Sequence, residues 1–123
     1  MNIRRIVPDI CSFDLEKAKA FYGDFLGLKL VMDLHWILTF ASETNPMAQI
    51  NILQKDKSEV SNENVFISVE VSEIDKTYEE AVTRKYEIVY PISNEPWGVR
   101  RFFVKDPNGV TVNIMCHIQI KND

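Results

Sequence analysis

The run Glu95-Pro96-Trp97-Gly98-Val99-Arg100-Arg101 brings an indole, a carboxylate and two guanidinium groups close together. A tryptophan on a loop can stack on a planar guest, and a neighbouring arginine can add cation–π or hydrogen-bond contacts. The same indole could instead be a plug between structural modules, since large aromatic side chains are buried on average. Both roles stand for Trp97, and either Arg100 or Arg101 could share its side of the chain. Trp36 is a second aromatic candidate for a guest, with core packing as its more ordinary role. Metal chemistry is thinly provided: His35 and His117 are the chain's two histidines, and two imidazoles alone hold a catalytic cation loosely. Cys11 and Cys116 form no CxxC pair, and both read as free, buried thiols of an intracellular protein.

With 123 residues, 46% hydrophobic and 26% charged, the chain has the size and make-up of one ordinary globular domain and lies far from the disordered regime. A net charge of −4 argues against a nucleic-acid partner, which needs a basic stripe to displace counterions, and the pairs Arg4-Arg5 and Arg100-Arg101 are too short to supply one. No apolar run reaches the length of a membrane span, and the segment MNIRRIVPDI lacks a signal peptide's apolar region, so a cytoplasmic location is expected.

The elements that must position these residues follow from periodicity. Alternation at Ile6, Pro8 and Ile10 predicts a strand over 3–12 with one buried face. Asp14 is placed to cap a helix whose stripe is Leu15, Ala18, Phe21, Tyr22 and Phe25, and Gly27 ends it. Strands are expected over 28–33, 35–41 and 47–54, with Asn45-Pro46 turning between the last two. After the polar stretch KDKSEVSNEN the order repeats. A strand over 65–71 leads to a helix carrying Ile74, Tyr78, Ala81 and Val82, then to strands over 86–90, 101–105 and 110–117, the last two joined by the turn-forming Asp106-Pro107-Asn108-Gly109. Leu15 and Ile74 lie 59 residues apart, and the runs after the two helices lie 58 apart, which marks an internal duplication. The expectation is a single domain of two βαβββ modules, about 1–56 and 64–123, with a linker at about 57–63.

This order, with Phe13-Asp14-Leu15-Glu16-Lys17-Ala18 leading to Phe21-Tyr22 and Leu26-Gly27-Leu28, and Lys105-Asp106-Pro107-Asn108-Gly109 near the end, resembles the vicinal oxygen chelate superfamily. That superfamily includes glyoxalase I, extradiol dioxygenases and the bleomycin-binding resistance proteins. The resemblance covers nearly the whole chain and implies an α+β fold of two tandem βαβββ modules, whose curled mixed sheets surround a shared cup. It also implies a homodimer, since such modules commonly complete one another about a two-fold axis. The Pro96-Trp97-Gly98 run followed by arginine is similar to a segment of the bleomycin-resistance-like members.

Enzymes of the superfamily hold a divalent metal with His, Gln and Glu side chains from four strand positions. Those positions fall here on Val7, Asn51, Phe66 and Asn113, none of which offers a charge, and a shift by one residue brings only apolar side chains. The resemblance therefore implies no metal cofactor. With those four residues facing the cup, strand alternation adds Asp9, Cys11, Gln49, Leu53, Ser68, Glu70, Thr111, Met115 and His117 to the same side. The opposite parity (Ile6, Ile10, Ile50, Ile52, Val65, Ile67, Val69, Val112 and Ile114) is uniformly apolar and is expected to pack under the helices. Asp9 and Glu70, on matching strands, are the candidates for acid or base chemistry without a metal. The reading that results is a metal-free protein sequestering a planar or amphipathic small molecule. Its guest contacts are Trp97, Arg100, Arg101, Phe66, Asn51, Asn113, Gln49, Met115 and Trp36. A lyase, isomerase or dioxygenase of the same scaffold is the alternative.

Overall fold

Asp14 begins the first helix as its sequence position demands: the carboxylate Oδ1 accepts from Glu16 N at 3.1 Å and Lys17 N at 3.2 Å, satisfying donors the first turn leaves open. In the computed structural model, which describes residues 1–119, this helix starts as α1 (Leu15–Ala18) and widens into a π-helical segment (Lys19–Phe25). Leu26 N bonds back to Phe21 O at 3.0 Å, five residues earlier. The wider turn brings consecutive residues closer in direction than the roughly 100° steps of an α-helix. Phe21 and Tyr22 can thus both be buried, with their rings edge-on at 4.9 Å and Tyr22 facing Phe40 at 6.1 Å.

The chain divides into two compact units, Met1–Asn62 and Glu63–Asp123. In the first, β1 (Asp9–Ser12), β2 (Lys29–Asp33), β3 (Ile37–Ala41) and β4 (Gln49–Gln54) form a mixed sheet of order β1-β4-β3-β2, with β1 parallel to β4 and the other pairings antiparallel. Ile10, Leu38, Phe40, Ile50 and Ile52 are buried on the helix side. The polar stretch after β4 makes a short turn at Lys57–Glu59, and Asn62 is anchored to the unit by Nδ2 donating to Cys11 O at 2.9 Å.

The second unit repeats the plan with β5 (Phe66–Glu70), α2 (Ile74–Thr83), β6 (Ile88–Glu95), β7 (Val99–Lys105) and β8 (Thr111–His117), in sheet order β5-β8-β7-β6. Its core is Ile74, Ala81, Phe102, Val104, Val112 and Ile114, with Tyr78 meeting Phe102 edge-on at 4.9 Å. The Asp-Pro-Asn-Gly reversal is built by Asp106, whose buried carboxylate Oδ1 accepts from Asn108 N at 2.8 Å and Val110 N at 2.9 Å, while Gly109 supplies φ +89°. The architecture is therefore α+β, with two four-stranded mixed sheets, each carrying one helix connection.

Several local expectations change. The first strand begins at Asp9 rather than at residue 3: Pro8 has no N–H to give, its carbonyl accepts the first bond from Asn51 N at 2.9 Å, and Ile6 is 80% exposed instead of lying under a helix. Val82 also faces solvent, since the stripe of α2 is carried by Ile74, Tyr78 and Ala81. Strand β6 runs through Pro91 to Glu95, which an edge strand tolerates by shifting register around Tyr90. Trp36 is 57% exposed in the β2–β3 connection and is not a core residue. Cys11 and Cys116 are free, but half-buried rather than buried.

Candidate functional site: the open faces of the two sheets

Each sheet has a face turned away from its helix, and the pairing register makes the two faces comparable residue by residue. In the first, Asp9 stands opposite Asn51 and Asn51 opposite Thr39. In the second, Ser68 stands opposite Asn113 and Asn113 opposite Phe103. Asn51 and Asn113 are therefore counterparts, as are Asp9 and Ser68, Thr39 and Phe103, and Ile37 and Arg101. The register does not make Asp9 and Glu70 counterparts. Asp9 Oδ1 accepts from Asn51 Nδ2 at 2.8 Å, whereas Glu70 lies beside Met115 with its Oε2 3.9 Å from His117 Nε2.

The first open face is a closed polar network. Thr39 Oγ1 donates to Asn51 Oδ1 at 2.6 Å, Asn51 Nδ2 continues to Asp9, and Arg5 Nη1 donates to Gln49 Oε1. Both ends of the Asn51 amide are satisfied.

The second is aromatic. Phe66 meets Phe103 edge-on at 5.1 Å, and Tyr90 lies 4.9 Å from Phe103 on its other side. Over this row sits the Arg101 guanidinium, 4.8 Å from the Phe103 ring centre, 5.1 Å from Trp97 and 5.6 Å from Tyr90. Its Nε is 3.5 Å from Glu95 Oε1, the same oxygen that accepts from the Tyr90 hydroxyl, and the Glu95 side chain is only 11% exposed. The cation is thus held by three rings and faced by one carboxylate at ion-pair distance, although its buried Nε makes no hydrogen bond. Trp97 nonetheless remains 57% exposed and Phe66 54% exposed. Asn113, below the rings, is 8% exposed; its Nδ2 donates to Ser68 Oγ at 3.0 Å, and its Oδ1 is buried without a hydrogen-bond partner. Such an unmet acceptor costs roughly 1–3 kcal/mol.

Of the residues singled out from sequence, the structure brings Trp97, Arg101, Phe66, Asn113 and Met115 onto one face of the second sheet. It separates Arg100 from them. Arg100 alternates to the helix side, where Nη2 donates to Asp75 Oδ1 at 2.6 Å and Nη1 to Asn94 Oδ1 at 2.8 Å. Asn51 and Gln49 belong to the first unit's face, and Trp36 to that unit's exposed hairpin connection. Tyr90, Glu95 and Phe103 were not among the candidates. Alternation from Arg101 would have found Phe103, but the register shifts around Tyr90 hide its facing from any count along the chain.

A metal does not fit this donor set. At the positions to which the resemblance pointed for a cation, Phe66 is a ring against another ring, and the Asn51 carbonyl is already taken by Thr39. The Asn113 carbonyl lacks any carboxylate or imidazole beside it in register. Among the described residues no three His, Cys, Asp or Glu side chains gather into a ligand group. Nor, among them, is any helix long and apolar enough to cross a membrane.

Comparison with known proteins agrees with this architecture. No curated protein matches the sequence. Solved structures do. A glyoxalase/bleomycin resistance protein/dioxygenase from Alicyclobacillus acidocaldarius is similar at 21% identity and TM-score 0.70, over 94% of this chain and 92% of that one. A superfamily member from Sphaerobacter thermophilus DSM 20745 is similar at 24% identity and TM-score 0.70, over 94% and 98%. TioX from Micromonospora sp. ML1 is similar at 18% identity and TM-score 0.75, over 93% and 98%. At these identities the likeness is one of fold. The sequence profile of the family itself matches residues 3–114, and the chain belongs to the Glyoxalase/Bleomycin resistance protein/Dioxygenase superfamily.

Proposed function

We propose that the chain is a metal-free small-molecule-binding member of this superfamily, taking a planar, uncharged guest on the aromatic face of its second module. One observation carries the reading: Arg101 is buttressed by three rings and Glu95, while the Trp97 indole above it stays 57% exposed. A rigid, exposed aromatic platform backed by a neutralised cation offers stacking area at little ordering cost. Because Glu95 already balances Arg101, the face selects for shape and stacking rather than for negative charge.

Tryptophan fluorescence tests this. In a Trp36→Phe background, where Trp97 alone reports, a panel of neutral bicyclic aromatic compounds should give saturable quenching, and Trp97→Ala should lose the binding by calorimetry. Failure of the whole panel to saturate would overturn the proposal. The same reading carries a cytoplasmic homodimer, supported by the apolar Leu30, Val31 and Met32 exposed on edge strand β2. Light scattering at micromolar concentration should give twice the chain mass, and a monomer would contradict that part.

A further inference from the structure

The duplication supplies its own control for Asn113. In the first module the counterpart amide is complete, with Thr39 donating to Asn51 Oδ1 and Asp9 accepting from Asn51 Nδ2. In the second, the residue opposite is Phe103, which has no hydroxyl to give, and Asn113 Oδ1 is left buried and unpaired between aromatic carbon and Ser68. One exchange, hydroxyl for phenyl, turns a structural amide into an available acceptor. Its other end stays pinned by Ser68, so the acceptor is oriented before anything binds. Phe66, 54% exposed, packs edge-on against Phe103, the residue across from Asn113, and exposed side chains change rotamer within nanoseconds, the movement by which a guest would reach the carbonyl.

We infer that the second module selects planar guests that carry an N–H or O–H donor on one edge, such as lactams, N–H heterocycles or phenols, with Asn113 Oδ1 as the acceptor. The inference rests on the reading of this face as a binding site and adds its polar specificity. A site built around a buried hydrogen-bonding group rejects the analogue lacking the complement, because binding that analogue leaves the group unmet.

Isoindolin-1-one and N-methylisoindolin-1-one are planar bicyclic lactams that differ by that donor. Both are titrated by calorimetry into the full chain and its Asn113→Asp and Asn113→Leu variants, with thermal melting as the check on folding. The N–H lactam should bind about tenfold more tightly than its N-methyl partner to the native chain. The preference should persist in Asn113→Asp, which keeps an acceptor, and shrink to less than twofold in Asn113→Leu. Equal affinities in the native chain would overturn the inference and leave the binding face standing. So would a preference that survives in Asn113→Leu, which would be steric, or one lost in Asn113→Asp, which would mean that it does not come from an acceptor at this position. If neither lactam binds while other neutral aromatics quench Trp97, the inference falls alone; if nothing binds at all, the proposed function falls with it.

Discussion

The two open faces share one register and part company in chemistry. In the first module Ile37, Thr39 and Asn51 occupy the places that Arg101, Phe103 and Asn113 occupy in the second. The first face spends its polar groups on itself: Thr39, Asn51 and Asp9 form a closed chain of hydrogen bonds. The second spends its aromatic rings on holding one cation and leaves an indole exposed and a carbonyl unmet. A duplicated scaffold thus keeps the same amide in both halves, and the residue across the strand decides whether that amide serves the fold or remains available.

The largest effect that would sharpen this contrast comes from Arg101. Arg101→Leu removes three ring contacts and leaves Glu95, whose side chain is 11% exposed, without its counter-charge and with the Tyr90 hydroxyl still donating to it, so a loss of about 3 kcal/mol in urea unfolding is expected. A loss below ~0.5 kcal/mol would show that the cluster is decoration. Next, Thr39→Val should copy the second module's condition into the first. It deprives Asn51 Oδ1 of its donor at nearly constant volume, at a cost of about 1–2 kcal/mol, and an unchanged unfolding midpoint would break the comparison. Trp97→Ala should change stability by less than ~0.5 kcal/mol, since the indole is mostly exposed, while abolishing guest binding by calorimetry; a large stability loss would make Trp97 a structural plug.

The smallest effect is a pH response confined to the first module's hairpin. The His35 backbone N–H donates to Asp33 Oδ1 at 2.9 Å, and Lys19 adds a second partner, holding the Asp33 carboxyl below the ordinary carboxylate range. A lowered folded value stabilises the turn above the unfolded carboxylate pKa of about 3.9, and that contribution is lost as pH falls through the folded value. The His35 amide resonance should therefore move with a midpoint below ~3.9. The Gly98 amide, which bonds the Glu95 backbone carbonyl in the other hairpin, should not follow it. An unshifted midpoint at His35 would contradict the assignment.

Much of the scaffold was legible in the residues because it is written locally. Asp14 before an apolar stripe, Gly27 after it and Asp106-Pro107-Asn108-Gly109 between strands each act within a few residues, and the repeat of these signals exposed the duplication. The alternation of β4 and β8 also assigned Asn51 and Asn113 to open faces. What was not legible depends on partners distant in sequence. The pairing of β1 with β4 is a contact across some forty residues, and the facing of Tyr90 depends on a register shift at an edge strand. Arg100 and Arg101 are neighbours in sequence and point to opposite faces, a distinction that a one-residue slip would invert. The unmet carbonyl of Asn113 is a property of the residue across from it on β7 and has no signature in its own segment.

The central claim, that one amide is structural and its counterpart available, is tested most directly by matched substitutions to leucine. Asn51→Leu leaves Thr39 and Asp9 without their partner and should cost about 2 kcal/mol in equilibrium unfolding, whereas Asn113→Leu removes an unmet acceptor and one hydrogen bond to Ser68, which is exposed to water, and should change stability by less than ~1 kcal/mol. Equal losses at the two positions would contradict the account.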